Sequence, residues 1–205
     1  LAVSPAELAA QSDTLLLAVK PQSMDEALAQ LAAGFSPRTL LISIAAGLSI
    51  RYFQDHLGSE ARVVRVMPNT PALVSAGAAG YAVSTNCTEK DVETAQALFG
   101  SIGVVERFSE ELIDAVTALS GSGPAYFFYM VECMTNAAVS LGMPEAQATT
   151  LARQTLLGSS RLLIESGEGA AALRAKVTSK GGTTEAALKR FQTDGFEDIV
   201  RAGIE

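Results

Sequence analysis

The sequence predicts an α/β fold plus an all-α fold: a parallel sheet with helices up to residue 108, followed by a helical region. Before residue 108, short continuous apolar runs alternate with amphipathic segments, which is typical of parallel strands covered by helices on both faces. From Glu110 onward the pattern is helical and is interrupted only at glycine, serine and proline. Hydrophobic residues make up 48% of the chain, enough to supply a core in each region. We therefore predict two domains, 1–108 and 109–205.

Five strands are predicted in the first domain because each is a short apolar run bounded by turn residues. Amphipathic helices are predicted between them, and the residues before the first strand form a helix or loop. In order, the strands are 14–19, 39–44, 61–67, 79–84 and 104–108, and the helices are 23–33, 50–57 and 89–101.

Small and polar residues follow each of the first three strands. The sequences are AVKPQ at 18–22, SIAAG at 43–47 and MPNTP at 67–71. Ligands of parallel sheets bind at the carboxyl ends of the strands, so these segments predict the rim of a pocket. Each segment on its own also fits an ordinary turn, and Lys20 on its own fits a solvated surface lysine.

The composition excludes several classes of function. A net charge of −7 argues against nucleic acid or an anionic membrane as the main partner. The two cysteines, Cys87 and Cys133, lie far apart, so we expect a reducing, cytoplasmic location and no disulfide framework. With His56 as the single histidine, the chain offers no multi-histidine metal site, and we predict no metal.

The most apolar segment, residues 125–141, predicts a helix of the second domain. Glu132 and Asn136 lie in its middle, which argues against a membrane span. An apolar surface on all sides predicts burial, either in the centre of a helical bundle or in a subunit interface.

The segment KVTSKGGTT at 176–184 comes directly before an amphipathic helix at 185–191. The first turn of a helix has unpaired N–H groups and a partial positive charge, and glycine lets the backbone approach a ligand closely. The pattern therefore predicts a site for a small anion such as a carboxylate. An ordinary helix cap is the competing interpretation.

No GxGxxG sequence occurs in the 205 residues. A dinucleotide-binding domain normally opens with a strand, that glycine turn and a helix. Either this is not a dinucleotide fold, or the opening βαβ unit lies outside this sequence.

Five segments together resemble pyrroline-5-carboxylate reductase. They occur in the family's order and spacing along nearly the whole chain, and Lys180 stands where many members have proline. The segments are AVKPQ (18–22), SIAAG (43–47), RVMPNTPALV (65–74), DAVTALSGSGPAYFF (114–128) and VTSKGGTTEAAL (177–188).

The resemblance implies a Rossmann-type domain, here without its glycine-rich opening, followed by a helical substrate-binding and dimerisation domain. It implies reduction of 1-pyrroline-5-carboxylate to L-proline with NADPH or NADH, which supplies the hydride, so that the protein binds and orients. The partners implied are a small imino acid and a second copy of the chain, with a higher homo-oligomer left open.

The resemblance also assigns residues. The substrate carboxylate would be held by Ser179, Gly181, Gly182 and Thr183, with Val177 lining the ring pocket and Thr184, the catalytic residue, beside the ring nitrogen. Glu110 matches an acid near bound substrate analogue, although a charge at a helix start explains it equally well. Cofactor contacts would come from Ala18, Val19, Lys20, Pro21, Ala45, Ala46, Pro68, Asn69 and Lys176.

Two alternatives stay open at this point. A β-hydroxyacid dehydrogenase relative or other imine reductase has the same two-domain plan, but those dehydrogenases use a lysine on the central helix, and residues 120–142 contain none. A helical dimerisation module with a degenerate nucleotide domain is the non-enzymatic alternative, and the missing glycine fingerprint is its best support.

Overall fold

The computed structural model describes residues 4–205 and divides into two units. Unit 1 extends to Pro124 and unit 2 begins at Ala125, each a compact set of residues in contact with one another. The secondary structure changes earlier, at Glu110. The domain boundary near residue 108 follows that change in secondary structure and stays a prediction.

Unit 1 contains a five-stranded sheet in which the strands follow one another in sequence order. The first three strands are parallel, as predicted, and so is the pair formed by the last two. The strands are β1 (Thr14–Leu17), β2 (Leu40–Ser43), β3 (Arg62–Met67), β4 (Gly77–Val83) and β5 (Gly103–Arg107).

The pairing of β3 with β4 is antiparallel, so the prediction of a parallel sheet is wrong for this one pair. A parallel connection needs a crossover of a dozen or more residues, usually through a helix. Only residues 68–76 join these strands, and they contain a short 3₁₀ turn, Thr70–Val74. The chain therefore returns directly beside β3.

The helices of unit 1 lie close to the predicted positions. Segment 50–57 is helical with the predicted bounds, and the helix predicted at 23–33 starts one residue later because Pro21–Ser23 forms a 3₁₀ turn. A π-helical segment, Thr117–Gly121, follows the last helix. The helices are α1 (Pro5–Ala10), α2 (Met24–Ala32), α3 (Ile50–Leu57), α4 (Glu89–Gly100) and α5 (Ile113–Val116).

The core of unit 1 has two parts, because alternate residues of a strand point to opposite faces of the sheet. Leu41 and Val63 belong to the cluster that contains Leu28 of α2 and Phe53 of α3. The neighbouring residues Ile42 and Val64 belong to the cluster that contains Phe99 of α4. The sheet is thus covered on both faces, as predicted.

Unit 2 consists of helices. The helix predicted at 125–141 begins at Gly123, two residues before the unit boundary, and ends at Ser140. Among the described residues, no helix is long and apolar enough to cross a membrane. The helices are α6 (Gly123–Ser140), α7 (Glu145–Glu165), α8 (Ala170–Lys176), α9 (Thr183–Thr193) and α10 (Phe196–Ile204).

Most of α6 is exposed in the single chain, including Phe127, Phe128 and Tyr129. Of residues 125–205, all of which the structure describes, only Ala148 and Ala152 of α7 are buried. The bundle of this one chain therefore does not enclose α6. Burial in the centre of a helical bundle is therefore not observed in the single chain, and burial of α6 in a subunit interface stays a prediction.

Candidate functional site

The expected cofactor residues of unit 1 meet at one edge of the sheet. Because β1, β2 and β3 are parallel neighbours, residues 18–21, 45–46 and 68–69 all follow carboxyl ends on the same side. Residues 18–21 are exposed, and Ala45 is buried. The structure thus brings three loops together there, as the sequence predicts.

The loop after β2 is held at its start by a buried hydroxyl. Ala45 N donates a hydrogen bond of 3.2 Å to Oγ of Ser43, and Gly47 has φ +75°, a conformation that glycine adopts readily. At the far end of the loop, Ser49 caps α3 by accepting from Tyr52 N at 3.1 Å. Local hydrogen bonds therefore lie at the start of this loop and in the first turn of α3 that follows it.

Both ends of the Asn69 side chain are engaged within unit 1. Its Oδ1 accepts from Ala78 N at 2.9 Å, and its Nδ2 donates to the Ser120 carbonyl at 3.0 Å. Asn69 therefore connects the β3–β4 loop to the π-helical segment, a type of irregularity that is frequent at functional sites. The glycines, Ser122 and Pro124 that follow indicate an interrupted helix in the sequence, but they do not reveal the π-helical segment itself.

Glu110 lies at the start of a 3₁₀ turn, Glu110–Leu112. Its Oε1 accepts a hydrogen bond of 2.6 Å from the N–H of Ile50 and lies 3.5 Å from Nη1 of Arg65. Arg65 was not predicted as a site residue. An arginine in the apolar strand sequence ARVVRVM is the signal that could have identified it, since charged residues are rarely fully buried without a partner.

The segment predicted to bind an anion connects α8 to α9 in unit 2. The helix begins at Thr183, two residues before the predicted start at 185, and ends at Thr193, two residues after the predicted end at 191. Gly181 has φ +73°. Gly182 N donates to the Ser179 carbonyl at 3.0 Å, and Gly181 N donates to Oε2 of Glu185 at 2.7 Å. The two glycine amides are thus already hydrogen-bonded within this segment.

The remaining donors come from the first turn of α9. Thr183, Thr184 and Glu185 are its first three residues, and the N–H groups at such positions have no partner within the helix. Thr184 is half-buried, whereas Thr183 is exposed. A ligand carboxylate at this helix start would therefore meet these amides before those of the glycines.

Sequence reasoning did not identify Glu185, although a glutamate at the third position of a helix is part of a known capping pattern. Lys176 also has an unexpected partner, since its Nζ lies 2.6 Å from Oε2 of Glu168.

Within unit 2, Gly181, Gly182 and Glu185 line a cleft of about 750 Å³ between α8 and α9. Arg174 and Lys189 add positive charge to its lining.

Comparison with known families identifies both parts of the chain. Residues 110–205 match the sequence model described as pyrroline-5-carboxylate reductase dimerisation. Residues 1–47 match the model described as NADP oxidoreductase, coenzyme F420-dependent. The first match covers the helical part of the chain, and the second covers the beginning of the α/β part.

Individual relatives match nearly all of this chain. The pyrroline-5-carboxylate reductase of Pseudomonas aeruginosa is 43% identical over 98% of this chain and 74% of its own length. A pyrroline-5-carboxylate reductase structure from Coxiella burnetii has a TM-score of 0.92 at 33% identity, covering 99% of this chain and 76% of the other. The Plasmodium falciparum enzyme, solved with NADP bound, has a TM-score of 0.90 at 32% identity, covering 99% and 77%. The chain therefore belongs to the pyrroline-5-carboxylate reductase family.

Proposed function

We propose that the chain reduces 1-pyrroline-5-carboxylate to L-proline with NADPH or NADH, as the last step of proline biosynthesis. The observation that carries this function is the match to curated enzymes of that name over nearly the whole chain. The structure supports it with two local features. Unit 1 has three loops at one sheet edge, and unit 2 has a helix start with free amides.

The loops of unit 1 fit a dinucleotide. They follow adjacent parallel strands, the usual place for such a ligand. The small side chains of Ala45 and Ala46 would let a dinucleotide come close to the backbone of one of them. When bound, the dinucleotide supplies the hydride. The residues proposed to hold it are Ala18, Val19, Lys20, Pro21, Ala45, Ala46, Pro68, Asn69 and Lys176.

Lys176 would meet the dinucleotide only by changing its present contact. Its ammonium group is paired with Glu168 on the exposed surface of unit 2. Exposed ion pairs contribute little stability, so a phosphate can replace the glutamate at small cost. The proposed contact at Lys176 is therefore compatible with the structure.

The helix start of α9 fits the substrate carboxylate. The amides of Thr183 and Thr184 and the partial positive charge of the helix attract an anion, while Ser179, Gly181 and Gly182 shape the turn beside them. Val177, which is exposed in this chain, would contact the apolar side of the ring. Positioning of this kind supplies a large part of the rate acceleration.

Thr184 is proposed to orient the ring nitrogen through its hydroxyl. A threonine hydroxyl is too weak an acid to be the sole proton source, so the proton comes from a protonated iminium or from water. The hydride adds to the carbon of the C=N bond, and the nitrogen becomes the ring amine of proline. It either keeps the proton of the iminium or takes one from water, which leaves hydroxide. Thr184 therefore holds the nitrogen during the transfer and does not itself lose a proton.

A second copy of the chain is the partner proposed for unit 2. Large apolar side chains of α6 and α7 are exposed, and contiguous apolar surface of this kind marks an interaction site. The dimerisation family model covers all of unit 2. We propose a homodimer formed through this unit, which can associate further, with neither nucleic acid nor membrane as a partner and with a cytoplasmic location.

The test is an assay of NADPH oxidation with 1-pyrroline-5-carboxylate, comparing Thr184→Ala with Thr183→Ala. Loss of the Thr184 hydroxyl should lower kcat/KM about 100-fold, because misplacing a reacting group costs about that much. Thr183 contributes its backbone N–H, which alanine retains, so Thr183→Ala should stay close to the wild type.

Each outcome decides a separate point. A folded wild-type protein that never oxidises NADPH with this imino acid refutes the function. Equal kcat/KM in Thr184→Ala and the wild type refutes the role of Thr184 alone. Circular dichroism and size-exclusion chromatography of both variants establish that they remain folded and associated.

A further inference from the structure

Arg65 places a charge inside the core of unit 1. It lies in the middle of β3, where its register partners are Ser43 of β2 and Ala82 of β4, and its side chain is 7% exposed. Its Nε atom is buried and has no partner in the part of the chain that the structure describes. Such a residue has to be held by acceptors at its other nitrogens.

Two carboxylates hold it. Nη1 lies 3.5 Å from Oε1 of Glu110, and Nη2 lies 3.2 Å from Oδ1 of Asp114. Both acids come from the segment that follows β5, but they differ in exposure, since the Asp114 side chain is 85% exposed and that of Glu110 is 32% exposed. Glu110 is therefore the partner that shares the interior with Arg65.

The same oxygen of Glu110 also caps a helix. It accepts from the N–H of Ile50, the first residue of α3, at 2.6 Å and across 60 residues of sequence. This N–H is one of those left unpaired at a helix start, and the local cap, Ser49, is bonded to Tyr52 instead. Glu110 thus fixes the point where the loop after β2 enters α3.

Hydrogen bonds thus fix both ends of the loop between β2 and α3. Ser43 binds Ala45 at its start, and Glu110 binds Ile50 at its finish, with Arg65 keeping the carboxylate in place. Between these points lie Ala45 and Ala46, two of the residues proposed to contact the dinucleotide. The contacts of Glu110 therefore determine the course of a cofactor loop.

A contribution to folding stability alone does not explain the ion pair between Arg65 and Glu110. Replacing a buried ion pair by apolar residues of similar size is often neutral or stabilising. What apolar residues cannot provide is a fixed acceptor for the N–H of Ile50. An ion pair between the buried Arg65 and the partly exposed Glu110 that fixes the position of the Ile50 N–H is consistent with this.

We propose that Glu110 and Arg65 are positioning residues that hold the loop of Ala45 and Ala46 in the shape that binds the dinucleotide. The proposal rests on the proposed function. It gives Glu110 a role through the cofactor loop, whereas the resemblance places Glu110 beside the substrate. The two roles predict effects on different ligands.

The experiment compares Glu110→Ala, Glu110→Gln and Asp114→Asn in the full chain. NADPH affinity is measured by the fluorescence of the bound nicotinamide, and hydrogen exchange of the segment around Ile50 is measured without ligand. KM is measured separately for NADPH and for the imino acid. Asp114→Asn is the matched control, because Asp114 contacts Arg65 but not Ile50.

Glu110→Ala should raise the Kd and KM for NADPH about tenfold, which corresponds to the loss of about one charge-assisted hydrogen bond. It should also speed exchange at Ile50 and change the KM of the imino acid less than about twofold. Glu110→Gln keeps an oxygen for Ile50, so it should restore slow exchange and most of the affinity. Asp114→Asn should match the wild type.

Several outcomes overturn the proposal. They are an unchanged Kd for NADPH in Glu110→Ala, a raised KM for the imino acid alone, and unchanged exchange at Ile50. If Glu110→Ala does not fold, Glu110→Asp, one methylene shorter, takes its place with the same criteria. A wild type that binds NADPH but leaves the imino acid unreduced refutes the reaction without touching this proposal, whereas one that binds no dinucleotide refutes both.

Discussion

The two units of this chain differ in how far they bury their large apolar side chains. Unit 1 encloses Phe53, Leu41 and Val64 completely within its layers. Unit 2 leaves Phe127 and Phe128 more than half exposed. The chain as a whole is 48% hydrophobic, so the difference lies in the arrangement of the helices and not in a lack of apolar residues in unit 2.

The two units therefore differ in how much apolar surface they bury within the single chain. Burial of apolar surface is the main favourable term in folding, and unit 1 obtains it from its own helices and sheet. Residues 125–205, by contrast, bury only two alanines within the chain. In the proposed homodimer, unit 2 would bury more apolar surface against the second copy, and its stability would then depend on protein concentration.

The largest loss in the free energy of unfolding is expected for Phe53→Ala in α3. Phe53 is fully buried against the sheet, and truncating a buried phenylalanine costs about 3–5 kcal/mol. Urea denaturation should show this loss in unit 1 at every protein concentration. A loss that varies with concentration would mean that unit 1 also depends on a partner.

A smaller effect of a different kind is expected for Phe128→Ala in α6. Phe128 is 64% exposed in the single chain, so its truncation should leave the fold of a single chain intact. It should raise the dissociation constant of the dimer about tenfold, or ~1.4 kcal/mol, as measured by sedimentation equilibrium. The control is Leu98→Ala, at an exposed leucine of α4 in unit 1, which should leave the dissociation constant of the dimer unchanged. If Phe128→Ala also leaves this dissociation constant unchanged, this part of α6 lies outside the interface.

The smallest effect concerns the two cysteines, one in each unit. Burial raises the pKa of the Cys87 thiol, with Ser84 opposing the shift, so below that pKa Cys87 should react slowly with a thiol reagent and faster as the pH rises.

Cys133 is exposed on α6 of the single chain, so the proposed dimer would cover it and dilution should speed its labelling. Mass spectrometry after alkylation separates the two sites, and fast labelling of Cys133 at all concentrations would contradict the proposed interface.

Secondary structure was largely predictable because it depends on local patterns. The apolar runs located all five strands, and the amphipathic segment at 50–57 located α3 with its observed bounds. The antiparallel pairing of β3 with β4 was not predictable from the strands themselves, since an apolar run looks the same in either direction. It follows from the short connection through Thr70–Val74.

The local structure around the candidate site was predictable in part, whereas its hydrogen bonds were not, and the roles of its residues stay predictions. The loops after β1, β2 and β3 follow the strands as predicted, whereas the segment 176–184 includes the last residue of α8 and the first two residues of α9. The sequence showed glycine amides at Gly181 and Gly182 but not that Glu185 and Ser179 already occupy them. Such contacts depend on side-chain positions, which a one-dimensional pattern does not contain.

By itself, the sequence determined the two-part fold, the five motifs and through them the family, because each depends on the order and spacing of residues along the chain. Only the tertiary structure decided that Glu110 caps α3 and pairs with Arg65, two contacts that join residues 60 and 45 positions apart. It also decided that α6 is left uncovered within one chain. Partners so distant in sequence are selected by the packing of the sheet and its helices, and no local pattern of residues specifies them.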